Sequence, residues 1–246
     1  MIQASFPADP ALDTAVSRAL LLRVAAGELP ETLRIARPGP FVAFGKRDVV
    51  SPGYADAVGA ARAAGFEPIE RLAGGRAAAF HAGTISFAHA IPDADPRSRV
   101  DERFEATAAL AAAAFERLGV DARVGKVEGE YCPGAHSVNA RGARKLMGVG
   151  QRLVSGGVHV GGLIVVDGAE RLNGVLAPVY ESLGLSWRPT ATGSVAGEAP
   201  GATWDRVTAA LIAEYEDRHG LEVAELDEET LTLARRLAPE HTSPVA

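Results

Sequence analysis

The segment Lys145-Leu146-Met147-Gly148-Val149-Gly150-Gln151 constrains this chain more than any other. It reads as a strand, yet it carries two glycines in its interior. A glycine there gives up side-chain packing and leaves room for a backbone or a ligand to come close. The fold must therefore hold a sheet with one thinned face, against which a flexible chain can lie. A second apolar run, Val158-His159-Val160-Gly161-Gly162-Leu163-Ile164-Val165-Val166, supplies a further strand.

Around these two strands the chain alternates helices with hairpin-like pieces. Asp9-Pro10 opens an amphipathic pattern through Leu12, Val16, Leu20 and Val24 that stops at Gly27, predicting a first helix. Thr32 to Arg37 and Phe41 to Phe44 read as two strands joined by the Pro38-Gly39-Pro40 turn, followed by a polar loop over Gly45-Lys46-Arg47-Asp48. Tyr54 to Ala64 is helix-compatible. Phe66 to Leu72, Ala77 to His81 and Thr84 to Ala90 read as strands, the first two forming a hairpin about Ala73-Gly74-Gly75-Arg76. Val100 to Leu118 is a helix, and Val120 to Val127 a strand. Helices are expected over Arg171 to Leu183, Trp204 to His219 and from Asp227 to Leu237, with Pro189 to Ala202 a loop. Few strand–helix–strand crossovers are present. The pattern specifies an α+β fold with a central mixed, largely antiparallel sheet flanked by helices, in a single domain over 1–246 whose segment from about 169 is helical.

Composition narrows the partners. A net charge of -6 with no basic run argues against a nucleic-acid surface, and no stretch reaches the length of a membrane span. The opening residues lack a basic region followed by an apolar one, so a cytoplasmic location is expected. One cysteine, Cys132, makes no internal disulfide. Only Lys46, Lys126 and Lys145 among 25 basic residues are lysine, which makes each a more informative choice, although codon bias explains the ratio equally well.

Chemistry concentrates between Glu130 and Arg152. Cys132 stands between Tyr131 and Pro133-Gly134, a turn in which a nucleophile can be approached; a buried small hydrophobe is the plainer use of a lone cysteine. Lys145 can stabilise an acyl oxygen and lower the pKa of a neighbouring thiol, or it is a solvated strand end. Arg71-Leu72-Ala73-Gly74-Gly75-Arg76 can cradle an anion or an extended ligand, or it is a turn with solvated arginines. His81, His89, His136 and His159 lack metal-ligand spacing, so no metal is expected, and the usual nucleotide and serine-hydrolase motifs are absent.

Two motifs in the right order then carry a resemblance. Residues 71–83, from Arg71 through Gly74-Gly75-Arg76 to His81 and Gly83, resemble the Arg-Arg-x-x-Gly-Gly-Gly-x-Val-x-His-x-x-Gly signature of the biotin/lipoate protein ligase and octanoyltransferase superfamily. Residues 142–152 resemble its second signature, Gly-x-Lys-x-x-Gly-x-Ala-Gln. Tyr131-Cys132-Pro133-Gly134 ahead of the lysine strand is similar to the cysteine-dependent lipoyl/octanoyl amidotransferases. Glu70 stands where the first Arg often occurs, and Arg76 where a third Gly would be.

The resemblance implies an acyltransferase moving an octanoyl or lipoyl group to a lysine of a lipoyl domain through a Cys132 thioester. It makes Cys132 and Lys145 catalytic, with Arg71, Gly74, Gly75, Arg76, His81, Gly148, Gln151 and His159 binding substrate. No cofactor is implied for that reaction. An ATP-dependent lipoate-protein ligase using an acyl-adenylate, with ATP and Mg, is the alternative, and a non-catalytic acyl- or carrier-binding module is a third. Implied partners are lipoyl-domain proteins, namely the glycine-cleavage H protein and 2-oxoacid dehydrogenase acyltransferase subunits, together with acyl carrier protein as a donor.

Overall fold

The computed structural model describes residues 1–243 and 245. Helix α1 (Pro10–Ala25) begins where Asp9 accepts a hydrogen bond from the Leu12 amide at 2.9 Å and Pro10 fills a position that needs no donor. In chain order follow β1 (Thr32–Ala36), β2 (Phe41–Phe44), the single turn α2 (Lys46–Val49), α3 (Tyr54–Ala63), β3 (Glu67–Glu70), β4 (Ala78–Phe80), β5 (Thr84–Pro92) and α4 (Val100–Glu116). The second half comprises β6 (Ala122–Val124), β7 (Val138–Ala140), β8 (Arg144–Val154), β9 (Gly157–Val165), α5 (Ala169–Ser182), the turn α6 (Val195–Glu198), α7 (Trp204–His219) and α8 (Glu228–Leu237).

The α+β class and the mixed, largely antiparallel pairing are as expected, but the strands divide into two sheets. Six strands run in the order β1-β5-β9-β8-β7-β6, every neighbouring pair antiparallel. Three more run β3-β2-β4, with β2 parallel to β3 and antiparallel to β4.

Two sequence expectations fail for one reason. The strands on either side of Pro38-Gly39-Pro40 do not pair; the turn carries the chain from the large sheet to the small one, and a Cβ on Gly39 would lie 1.9 Å from the Pro7 carbonyl oxygen. Nor do β3 and β4 form a hairpin. They flank β2 on opposite sides, so the Ala73–Arg76 glycines span the end of the small sheet. Strand partners of this kind are set by which apolar faces meet, which a local turn signal does not encode.

Smaller departures are local. Lys46–Asp48 is helical because the Asp48 carboxylate accepts from the Gly45 amide at 2.9 Å. Val120–Val127 shortens to β6, β7 is an additional strand, and Pro189–Ala202 contains two helical turns.

The large sheet is buried on both faces, which explains the nearly continuous apolar run of β9. Leu163 and Val165 pack toward α3, α5 and the small sheet, with Phe44, Tyr54, Val175 and Tyr180. Ile164 points the other way, toward α4 and α7, with Leu110, Phe115 and Leu211. A third cluster joins α1 to α8, where Arg23 pairs with Asp227 at 2.6 Å and Glu229 at 2.8 Å. Among the described residues no helix is long and apolar enough to cross a membrane.

Candidate active site

Strand β8 carries Lys145 into the interior, where it is 1% exposed. Its ammonium donates to the carbonyls of Cys132 at 2.8 Å and Tyr131 at 3.0 Å, and lies 3.4 Å from Oε2 of the buried Glu130. Three donors on one ammonium thus hold the cysteine loop. Glu130 closes the turn from the other end, because its Oε1 accepts from the Gly134 amide at 3.0 Å. The Cys132 amide donates to the Tyr180 hydroxyl at 2.7 Å, and that hydroxyl donates to the Ala77 carbonyl at 3.0 Å. Fixed at both ends, Cys132 adopts φ +40°, a left-handed conformation that costs a non-glycine residue on the order of 1 kcal/mol and persists only where its surroundings impose it.

The sulfur faces positive charge. Cys132 Sγ accepts from the Arg76 backbone amide at 3.2 Å and lies 3.6 Å from Arg71 Nη1. Arg71 is in turn braced by the Arg76 carbonyl at 2.9 Å. Gly75 makes this packing feasible: at φ +128°, a Cβ there would come within 2.6 Å of Arg71 Nη1 and 2.9 Å of Cys132 Sγ. Burial pushes the thiol pKa up, but the Arg71 guanidinium, the Lys145 ammonium and the Arg76 amide outweigh it and hold the thiol below its ordinary value. Burial likewise lowers Lys145, against the opposing pull of Cys132 and Glu130. The arrangement favours a thiolate, the form in which cysteine is a nucleophile.

Beside the sulfur lies a cavity of about 430 Å³. Phe80, Val100, Phe104, Val149, Leu153 and Leu163 make it largely apolar. The glycines expected to thin this face line it, and part of their space is already taken. A Cβ on Gly148 would meet Lys145 Cε at 3.2 Å, and one on Gly150 would meet the Gly74 carbonyl oxygen at 3.0 Å. They admit the lysine and the glycine loop as well as leaving a void.

Residues 9–192 match the lipoyl protein ligase A/B catalytic domain. The chain belongs to this family. Among curated relatives, the octanoyl-[GcvH]:protein N-octanoyltransferase of Geobacillus kaustophilus is 28% identical over 176 residues, which are 72% of this chain and 62% of that protein. The lipoyl-[GcvH]:protein N-lipoyltransferase of Listeria monocytogenes is 26% identical over 164 residues, 65% of this chain and 59% of that one. The chain thus spans less than two thirds of the length of these relatives. A lipoate-protein ligase A bound with ATP superposes with a TM-score of 0.79 at 18% identity, covering 97% of this chain and 93% of that one. A bipartite lipoate protein ligase of Thermoplasma acidophilum gives 0.76 at 17%, covering 97% and 91%. At such identities these two structures establish the shared fold.

Of the family-motif residues singled out in the sequence, Cys132, Lys145, Arg71, Gly74, Gly75, Gly148 and Gln151 all line the cavity. Gln151 also ties β8 to α4, accepting from Arg103 at 3.1 Å and donating to the Val100 carbonyl at 2.8 Å. Arg76 contributes its amide, while its guanidinium turns to the buried Asp48 at 3.0 Å. His81 and His159 are not brought to the cavity. His81 accepts from the Gly83 amide at 3.0 Å beside Gly168. His159 borders a smaller hollow of about 70 Å³ on the other side of Arg71, where burial and then the Arg71 charge push its pKa down to about 3 and keep it neutral. Glu130 and Tyr180 are the contributors that sequence reasoning missed. Glu130 sits two residues before Cys132, a proximity that could have drawn attention to it; Tyr180 lies in a helix far along the chain and left no signal.

Proposed function

We propose that this protein moves an octanoyl or lipoyl group to a lysine of a lipoyl domain, through a thioester on Cys132. The observation that carries this is the cation-flanked sulfur of Cys132 at the wall of an apolar cavity. The thiolate adds to the donor carbonyl, a C–S bond forms, and the bond to the donor nitrogen or sulfur breaks, that group leaving with a proton taken from solvent. A neutral acceptor amine then attacks the thioester, its C–N bond replaces the C–S bond, the thiolate is restored and a proton passes to solvent. Arg71 and Lys145 hold the thiolate, and Lys145 can turn to the acyl oxygen by releasing its longest contact, that to Glu130.

Sequence similarity to the two relatives whose names include GcvH supports a lipoyl-domain protein of the glycine-cleavage H type as partner. In the same reading, 2-oxoacid dehydrogenase subunits are further acceptors and acyl carrier protein is an alternative donor. We read the chain as one catalytic domain working in the cytoplasm, where a free thiol stays reduced.

Intact mass after mixing with octanoyl carrier protein, octanoylated H protein, or lipoate with ATP and Mg provides the test. The expected result is the gain of one acyl group by the wild type and none by Cys132→Ala. Product formed with ATP that survives Cys132→Ser would overturn the thioester reading in favour of a ligase.

A further inference from the structure

One feature at the mouth of the acyl cavity is not used by the chemistry at the sulfur. A shallow hollow of about 340 Å³ adjoins the cavity, the two sharing Arg71, Gly74, Gly75, Gln151 and Leu153. Its other charged walls are Lys46, Arg47 and Arg152, all exposed. No carboxylate lines it, and none of its four cations has an ion-pair partner among the described residues. Elsewhere Arg23, Arg34, Arg103 and Arg117 pair with carboxylates, while arginines such as Arg37, Arg62 and Arg171, which also lack an ion-pair partner among the described residues, are not gathered around one hollow with other cations.

The hollow is also preorganised. Gly45 packs so closely on the glycine loop that a Cβ there would lie 2.0 Å from the Gly75 carbonyl oxygen. Asp48, wholly buried, accepts from the Gly45 amide at 2.9 Å and pairs with Arg76 at 3.0 Å. These contacts stand α2 against the loop with Lys46 and Arg47 exposed, and the buried Asp48 carboxylate is engaged by Arg76. Like charges gathered this way repel one another; Arg71 faces the sulfur of Cys132, but Lys46, Arg47 and Arg152 have no ion-pair partner among the described residues.

From these observations we infer that the hollow is the docking patch for an acidic carrier domain, a protein that presents the acyl group or the acceptor amine on an extended arm. The inference rests on the transfer reading of Cys132. Cys132, half-buried at the cavity wall, can be reached by an arm that enters the cavity, while the body of its carrier rests on the adjoining cations. Charge complementarity of this kind acts on encounter and orientation more than on the chemical step.

The test compares the wild type with the triple variant Lys46→Glu, Arg47→Glu, Arg152→Glu. Acylation of Cys132 by an uncharged small donor, the N-acetylcysteamine thioester of octanoate, is followed by intact mass and is expected to be equal in both. With an octanoylated H protein chosen for its net negative charge, the variant is expected to show a KM raised about tenfold at unchanged kcat. The wild-type KM should rise with added NaCl, and that of the variant should not. An unchanged carrier KM overturns the patch, as does a parallel loss with the small donor. So does competition by millimolar inorganic phosphate in the small-donor reaction combined with an unchanged carrier KM, which would make the hollow a small-anion site. If the wild type forms no thioester, the transfer reading fails, and direct titration with the H protein decides the patch separately. Salt-sensitive binding lost in the variant supports it, and equal binding by both proteins overturns it.

Discussion

Cys132 combines three properties that are seldom found together: a left-handed backbone, partial burial, and a sulfur held by an amide and facing a guanidinium. Burial alone would favour the neutral thiol. The charges of Arg71 and Lys145 reverse that preference, so the sign of the net shift depends on one cation from the loop after β3 and one from β8. Alkylation of Cys132 by iodoacetamide across pH should therefore have its midpoint below that of an ordinary thiol. In Arg71→Met the midpoint is expected to move up, since removing a neighbouring cation destabilises the thiolate, and the rate at neutral pH should fall several-fold. Identical profiles for the two proteins would remove the guanidinium from the account. The candidate nucleophile and the lysine were legible from their place in one motif. Glu130 as the buried partner of Lys145 was not, because a carboxylate next to a tyrosine and a cysteine reads equally well as a solvated loop residue.

Among elements, β8 and β9 decide how the site is built. Their glycines do different work that sequence spacing cannot separate. A Cβ on Gly162 would lie 1.9 Å from the Gly148 carbonyl oxygen, so the pairing of these two central strands requires glycine there. By contrast, Gly59 in the middle of α3 has open space where a Cβ would go. Gly162→Ala should destabilise the fold by about 3 kcal/mol, as overpacking against backbone does. Gly59→Ala should stabilise it by about 0.5–1 kcal/mol by restricting the unfolded chain and favouring helix. Urea denaturation of the two variants distinguishes them, and equal effects would contradict the packing described. Long periodic elements such as α4, α7 and β9 were legible because each repeats its burial pattern several times. Three-residue strands such as β6 and β7 repeat it hardly once, and β7 went unseen.

At the scale of the whole molecule, buried polar groups fix how the layers meet. Arg34, 1% exposed on β1, donates to Asp13 Oδ1 at 2.5 Å, to the Asp13 carbonyl at 2.7 Å, to Ser17 Oγ at 3.0 Å and, through Nε and Nη2, to the Ala4 carbonyl at 3.0 and 2.7 Å. Every donor direction is thus used to seat α1 on the edge of the large sheet. Asp13→Ala leaves that guanidinium buried without its counter-charge and should cost about 3–5 kcal/mol, whereas Asp13→Leu combined with Arg34→Met should recover most of the loss. Thermal and urea denaturation test this; a single variant as stable as the double one would overturn it. What the sequence by itself determined is the longer elements, the α+β class and the two glycine-bearing motifs, since periodicity, caps and turn residues act over a few neighbours along the chain. Only the tertiary structure decided that the strands form two sheets, that the Arg71–Arg76 loop spans the end of the small sheet and reaches the sulfur of Cys132, that His81 and His159 stay out of the cavity, and that Lys46, Arg47 and Arg152 share one hollow. Each of these depends on which apolar faces bury one another, and that is settled by contacts between residues far apart in the chain.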